Sequence, residues 1–372
     1  MTDSSKITRR RYLKYASAGI LAGAAAVASG GFYSYQSNQE EASREFNRSL
    51  YPPRKLRVGS KGMCYNLGPY GQPRSFSWDR KRDIKTIHDV LGCDGIRIFG
   101  NDEGSLIECV GMALEEEFQT IIINPRWFDA LNSMGIEETL DTFDRFTRKM
   151  GDLRDPSLVL SIGNELSVDT RGILSDEPMY DNRVPVIAQK QNDETCQKTL
   201  ETLVRDLIVI ARSNTEVKLT YCAGSWEWWL PWDELDLDIL GDNHYWYKGY
   251  GNPEDSNNAW FEHVRHFKRY GKRYFLTEYE CSPYIGSFDL GGGDWLRSGE
   301  KNEEAQAQYI GNYHKMFNKA DDLGLHIDGS FYMYYWGTNV ANDSNLVEAG
   351  GLVEHQRRAF FEFASWEKQQ IP

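Results

Sequence analysis

Two glutamates stand where short strand-like runs end. Glu165 closes Leu158-Val159-Leu160-Ser161-Ile162-Gly163-Asn164-Glu165, and Glu278 closes Arg273-Tyr274-Phe275-Leu276-Thr277-Glu278. Two carboxylates brought to one place can divide a reaction between them. One gives a proton to a leaving oxygen while the other attacks carbon or activates water, which is what cleavage of a glycosidic bond requires. A third run, Gly95-Ile96-Arg97-Ile98-Phe99, carries a guanidinium among apolar neighbours. A guanidinium beside a carboxylate favours its ionised form, and a nearby negative charge favours the protonated form of the other acid. Blander readings stand beside these: a structural ion pair for Arg97, a helix cap for Asn164 and a satisfied core histidine for His244. Glu280 shares the strand face of Glu278, two residues on, and reads as a supporting or loop charge rather than the attacking group.

The elements that position these residues follow from the hydrophobic pattern. Eight short runs read as strands: Leu56–Tyr65, Gly95–Phe99, Thr120–Asn124, Leu158–Gly163, Val217–Cys222, Ile239–Tyr245, Arg273–Glu278 and Ser330–Trp336. Several are almost continuously β-branched or aliphatic, as in Thr120-Ile121-Ile122-Ile123, the signature of strands buried on both faces. Helical periodicity fills the gaps. Ile84, Ile87 and Leu91 make one stripe, and Leu200, Leu203, Val204, Leu207, Ile208 and Ala211 make another. Further helical stretches lie near Leu106–Phe118, Glu137–Met150, Asn257–Tyr270, Glu303–Leu323 and Glu354–Trp366, with the weakest near Pro231–Asp236. Eight alternations predict an α/β fold, the (β/α)8 TIM barrel. An open doubly wound sheet is the alternative. No G-x-G-x-x-G or Walker loop follows the first run, and Gly291-Gly292-Gly293 does not join a strand to a helix. Barrel chemistry sits at the C-terminal strand ends. There strand two brings Arg97, strand four Asn164 and Glu165, strand six His244 and Tyr245, strand seven Glu278, and strand eight Trp336.

With Gly163-Asn164-Glu165 on strand four and Thr277-Glu278 on strand seven, the chain resembles clan A of the retaining glycoside hydrolases over roughly residues 56 to 366. The resemblance implies that Glu165 is the acid/base and Glu278 the nucleophile. By the same resemblance Asn164 holds the substrate 2-hydroxyl, and Arg97 holds the nucleophile's charge. His244 and Tyr245 line the site, and Trp336 floors the subsite of the cleaved sugar. The expected substrate is a β-linked oligo- or polysaccharide, with no cofactor and no metal. A transglycosidase would use the same residues. A catalytically inactive, polysaccharide-binding barrel is disfavoured by the presence of both glutamates and Arg97. A metal-dependent barrel hydrolase lacks a His-x-His on the first strand.

Four tryptophans fall in seven residues, Trp226-Glu227-Trp228-Trp229-Leu230-Pro231-Trp232, after strand five. Their faces suit the C–H faces of sugar rings, and Trp228 and Trp229 are the candidate platforms. Core packing under the loop is as good a reading for two of the four. The aperiodic segment from Leu166 to Asp193 reads as another wall of the cleft. Its Asp169, Asp176, Glu177 and Asp181 are too irregular for a calcium loop and read as solvated.

Composition bounds the rest. The chain has 372 residues and is 40% hydrophobic, 13% aromatic and 26% charged, which excludes a disordered chain. Net charge is -13. The first 35 residues carry five basic side chains against Asp3 alone, so the remainder is near -17. An acidic body disfavours nucleic acid and anionic membrane as partners. Thr8-Arg9-Arg10-Arg11-Tyr12-Leu13-Lys14 precedes an uncharged Ala/Gly-rich run and Ala26-Val27-Ala28. That order resembles a twin-arginine export signal with a cleavage site. Residues 1–35 are therefore expected to be a signal or anchor and 36–54 a linker, with one catalytic barrel over 55–372. The protein is expected to be secreted or held at the cell surface, touching membrane only through an uncleaved N-terminus. Six widely spaced cysteines contain no C-x-x-C and are expected to be mostly free, buried thiols.

Overall fold

The computed structural model describes residues 49–67, 80–126, 134–175, 183–245, 251–281, 283–284, 300, 302–333, 336–337, 347–348, 355–356 and 358–369. The chain divides between Pro53 and Arg54, and the elements named here belong to Arg54–Pro372. The twin-arginine segment, the Gly291–Gly293 run and three of the acidic residues (Asp176, Glu177 and Asp181) lie outside the described residues. Among the described residues no helix is long and apolar enough to cross a membrane.

Eight parallel strands close into a barrel in chain order. They are β1 Lys61–Asn66, β2 Gly95–Gly100, β3 Thr120–Pro125, β4 Leu158–Asn164, β5 Lys218–Gly224, β6 Ile239–Asn243, β7 Arg273–Tyr279 and β8 Gly329–Tyr332. Their near-continuous apolar runs are explained by burial on both faces: β3 and β4 are buried at every position. The barrel interior is filled by Cys64, Phe99, Ile122, Val159, Ile239, Phe275, Phe331 and Met333. The outer layer comprises α1 Arg80–Asp89, α2 Glu103–Glu115, α3 Ile136–Met150, α4 Glu194–Asn214, α5 Ala259–Lys268, α6 Glu303–Asp322 and α7 Arg358–Ala364. The apolar stripe of α4, from Leu200 to Ala211, is buried as its spacing predicts. Asp193 starts this helix by accepting from the Thr195 and Cys196 amides. All six cysteines are free thiols, and only Cys196 is not buried.

Besides an α-helix at Arg183–Lys190 inside the segment read as aperiodic, three elements of the barrel differ from expectation. The first run splits. Arg54–Leu56 leaves the barrel to pair in parallel with Trp366–Lys368, and β1 begins only at Lys61. Between them Gly59 passes so close to Asp328 that a Cβ would lie 2.4 Å from its carbonyl oxygen. The last run also stops early, because the pairing of β8 with β1 and with β7 runs out at Tyr332. Trp336–Gly337 instead pairs with Val347–Glu348, which pairs antiparallel with His355–Gln356. Finally, no α-helix follows β5. A 3-10 turn at Ser225–Glu227 leads instead into an irregular stretch that buries Leu230, Trp232, Leu235 and Leu237.

Candidate active site

The strand ends converge on Arg97. This β2 side chain is buried, and its fork is saturated by partners from three other strands. Nη1 donates to Glu278 Oε1 at 2.7 Å and to the Thr277 carbonyl at 3.0 Å. Nη2 donates to Asn164 Oδ1 at 2.6 Å and to Asn124 Oδ1 at 2.6 Å, and Nε donates to the same Asn124 oxygen at 3.0 Å. A lysine could not reproduce this planar set. The second oxygen of Glu278 accepts from the Tyr245 hydroxyl at 2.7 Å. Both Glu278 oxygens therefore hold donors, which fixes the carboxylate in place.

Glu165 reaches the same network from β4. Asn243, at the end of β6, donates from Nδ2 to Glu165 Oε1 at 3.0 Å and to Asn164 Oδ1 at 3.1 Å. The Asn243 Oδ1 accepts from the Thr277 hydroxyl at 2.8 Å. Thus Glu165 and Glu278, 113 positions apart, are joined through Asn243, Asn164 and Arg97. Burial, with Glu278, Glu280 and Glu165 around it, holds the Tyr245 phenol protonated well above its ordinary range, so it remains a donor.

The local backbone departs from regular strand here. The β4–β5 register shifts between Ser161 and Asn164, and the β6–β7 register shifts between Asp242 and Asn243. Such irregularities re-aim side chains at barrel rims. Glu165 itself has left-handed φ 45° and ψ 47°. Gly163 lacks a Cβ where one would lie 2.6 Å from Leu166 Cγ and Cδ1, so the chain folds back tightly there.

Of the residues expected at the site, Arg97, Asn164, Glu165, Tyr245 and Glu278 are brought together. His244 is not. Strand alternation turns it outward, away from Glu278, against Trp228 at 4.9 Å and His263 of α5 at 4.1 Å between ring centroids. Burial and the neighbouring His263 push its pKa down to about 3, so it is neutral. Trp228 belongs to that outer cluster too. Its ring lies 3.6 Å from that of His263, and its Nε1 donates to buried Asp242 at 3.1 Å. Trp229 donates to the Trp226 carbonyl, Trp226 to Ser167 Oγ, and Trp232 to the Trp228 carbonyl. All four indole N–H groups of the loop are thus met within the protein, and of the four rings only that of Trp232 is fully buried. Trp336 lies beyond the end of β8, in the small three-stranded sheet. Asn124 and Asn243 were missed. The signal available was, for Asn124, an amide directly after Ile121-Ile122-Ile123, and for Asn243 an amide paired with Asp242 at the end of its run.

No protein-family model matches the chain, and no curated protein matches it in sequence. In fold it is similar to solved glycoside hydrolases. A GH113 β-1,4-mannanase superposes with a TM-score of 0.53 at 16% identity, covering 84% of this chain and 99% of the mannanase. A β-glucuronidase from Ruminococcus gnavus, in complex with uronic deoxynojirimycin, gives 0.52 at 16% identity over 82% of this chain and 49% of its own. A β-glucosidase gives 0.53 at 12% identity over 76% and 86%. At these identities the likeness is one of fold.

Proposed function

We propose that this protein is a retaining glycosidase acting on a β-linked glycan. The observation that carries the reading is the shared network of Glu165 and Glu278 at the C-terminal ends of β4 and β7, with Arg97 and Tyr245 on the two oxygens of Glu278. The fold neighbours support it, each being named for an enzyme of β-linked sugars. In this reading Glu278 attacks the anomeric carbon while Glu165 gives its proton to the departing oxygen. A covalent glycosyl ester forms on Glu278, and its negative charge is lost to that bond. Glu165, now a carboxylate, takes a proton from water. The resulting attack on the anomeric carbon releases the sugar with its original configuration and restores the Glu278 carboxylate. Arg97 and Tyr245 hold Glu278 at the attack position in both steps. Asn164, whose Oδ1 is occupied by Arg97 and Asn243, has its Nδ2 for a sugar hydroxyl.

The test uses purified protein, an aryl β-glycoside panel and azide. Glu278→Ala with azide is expected to yield the α-glycosyl azide by direct displacement. Glu165→Ala is expected to accumulate the ester and release the β-glycosyl azide. Exchange of the two products would reverse the roles, and full activity in both variants would remove the site.

A further inference from the structure

Glu227 is a fully buried carboxylate that no step of the proposed reaction uses. It sits on the 3-10 turn after β5, and four donors converge on it. They are the Ser167 amide at 3.0 Å, the Ser167 hydroxyl, the Tyr221 hydroxyl at 2.9 Å and the Gly224 amide at 3.0 Å. Tyr221 in turn accepts from the Leu166 amide at 3.0 Å. The Glu165 amide donates to the Cys222 carbonyl at 2.9 Å. Three consecutive N–H groups, those of Glu165, Leu166 and Ser167, therefore end on β5 and the turn that follows it. Two of the three end on Glu227, directly or through Tyr221.

This arrangement answers a local problem. Leu166–Asp169 is a single helical turn, and the first N–H groups of a helix have no partners within it. They follow directly on Glu165, whose left-handed backbone is sparsely populated for a residue with a side chain and persists only where its surroundings dictate it. The nearest capping group in sequence, Glu165 itself, makes no side-chain cap. A carboxylate supplied from the turn after the neighbouring strand β5 takes over that task. Trp226 Nε1 donates to Ser167 Oγ at 2.9 Å, fixing the hydroxyl that meets Glu227. Being fully buried, Glu227 can act only through the chain it holds.

We propose that Glu227, with Tyr221, is a positioning residue that sets the backbone of Glu165 and so aims its carboxyl at the glycosidic oxygen. The proposal rests on the reading of Glu165 as the proton donor. Proton donation depends on placement within hydrogen-bond reach of the leaving oxygen, and misplacement by about 1 Å can cost on the order of 100-fold. A substrate whose leaving group departs without a proton is spared. Selectivity between leaving groups is thus a readout that a general loss of folding does not move.

The experiment compares kcat/KM for 2,4-dinitrophenyl and phenyl β-glycosides of the sugar that wild type hydrolyses. Glu165→Ala serves as reference beside Glu227→Gln and Tyr221→Phe. Glutamine presents an N–H to donors, and phenylalanine leaves the Leu166 amide unpaired. Each variant is assayed where circular dichroism shows it folded. Tyr221→Phe keeps the ring and carries the test if Glu227→Gln does not fold. The expected result is a loss on the phenyl glycoside at least about tenfold greater than on the dinitrophenyl glycoside, in the direction of Glu165→Ala. Equal losses on both substrates, with Glu165→Ala still selective, would overturn the positioning role alone. If Glu165→Ala shows no selectivity, the proton-donor reading falls and takes this proposal with it.

Discussion

The left-handed backbone at Glu165 makes a prediction about stability whose sign is diagnostic. Consider Glu165→Gly and Glu165→Ala. Both remove the carboxylate, its burial and the bond from Asn243, so those contributions cancel between them. What differs is backbone. A residue with a Cβ at φ 45° and ψ 47° pays about 1–2 kcal/mol relative to the right-handed region, and glycine does not. Glycine in turn loses about 0.4–1 kcal/mol more on folding, because its unfolded chain is freer. Taken at mid-range, the difference leaves Glu165→Gly more stable than Glu165→Ala by about 0.8 kcal/mol. At an ordinary strand or helix position the order is reversed by a similar amount. Urea unfolding reads this out. With a slope of about 3 kcal/mol/M, the glycine variant should unfold at a midpoint about 0.2–0.3 M higher. Both variants should be equally poor on substrates that need proton donation. An alanine variant as stable as the glycine variant, or more so, would show that Glu165 is not held in the left-handed region. The hydrogen bonds made by the Glu165, Leu166 and Ser167 amides would then need another explanation.

Two further outcomes follow from packing and burial. Trp228→Ala should lower the thermal midpoint, by loss of the His263 and His244 ring contacts and the bond to Asp242, at a cost of about 3 kcal/mol. It should leave the ratio of polymer to aryl-glycoside turnover within about twofold, the opposite of what a sugar platform would do. Burial pushes the Glu227 carboxyl up to about 7, against the pull of its four donors. The folded state then keeps a proton that the unfolded chain releases near pH 4.5. Stability should therefore fall as pH rises from about 4.5 to about 7 and level off above that, by on the order of 3 kcal/mol. Urea midpoints at pH 5 and pH 8 should converge in Glu227→Gln, and an unchanged gap would assign the dependence to other groups.

That the tryptophan loop reads equally as a sugar platform and as packing has a physical cause. An indole offers an apolar face and one N–H, and both a sugar cleft and a barrel's outer layer use that combination. Sequence spacing does not say whether the N–H meets water, a sugar or Asp242. The same ambiguity placed His244 beside Glu278. Its neighbours Asn243 and Tyr245 do reach the site, and extension of the strand then turns the residue between them to the other side. A one-residue choice of face separates a site residue from an outer-layer packing residue.

By itself the sequence determined the barrel and which of its strands carry charged or amide side chains. Strands buried on both faces must be runs of apolar residues, so eight such runs alternating with helical stripes leave little freedom of fold. A charged or amide residue inside such a run, as at Arg97, or ending it, as at Asn164-Glu165 and Glu278, stands out because burial of that kind needs a partner. The tertiary structure alone decided which partners those are. Arg97 meets Glu278 across 181 positions, and Asn243 meets Glu165 across 78. It also decided where β8 ends, because a strand lasts only as long as its neighbours offer backbone to pair with. The left-handed turn at Glu165 and the carboxylate of Glu227 beneath it belong to the same class. They depend on hydrogen bonds closed by the barrel, between residues that no local pattern links.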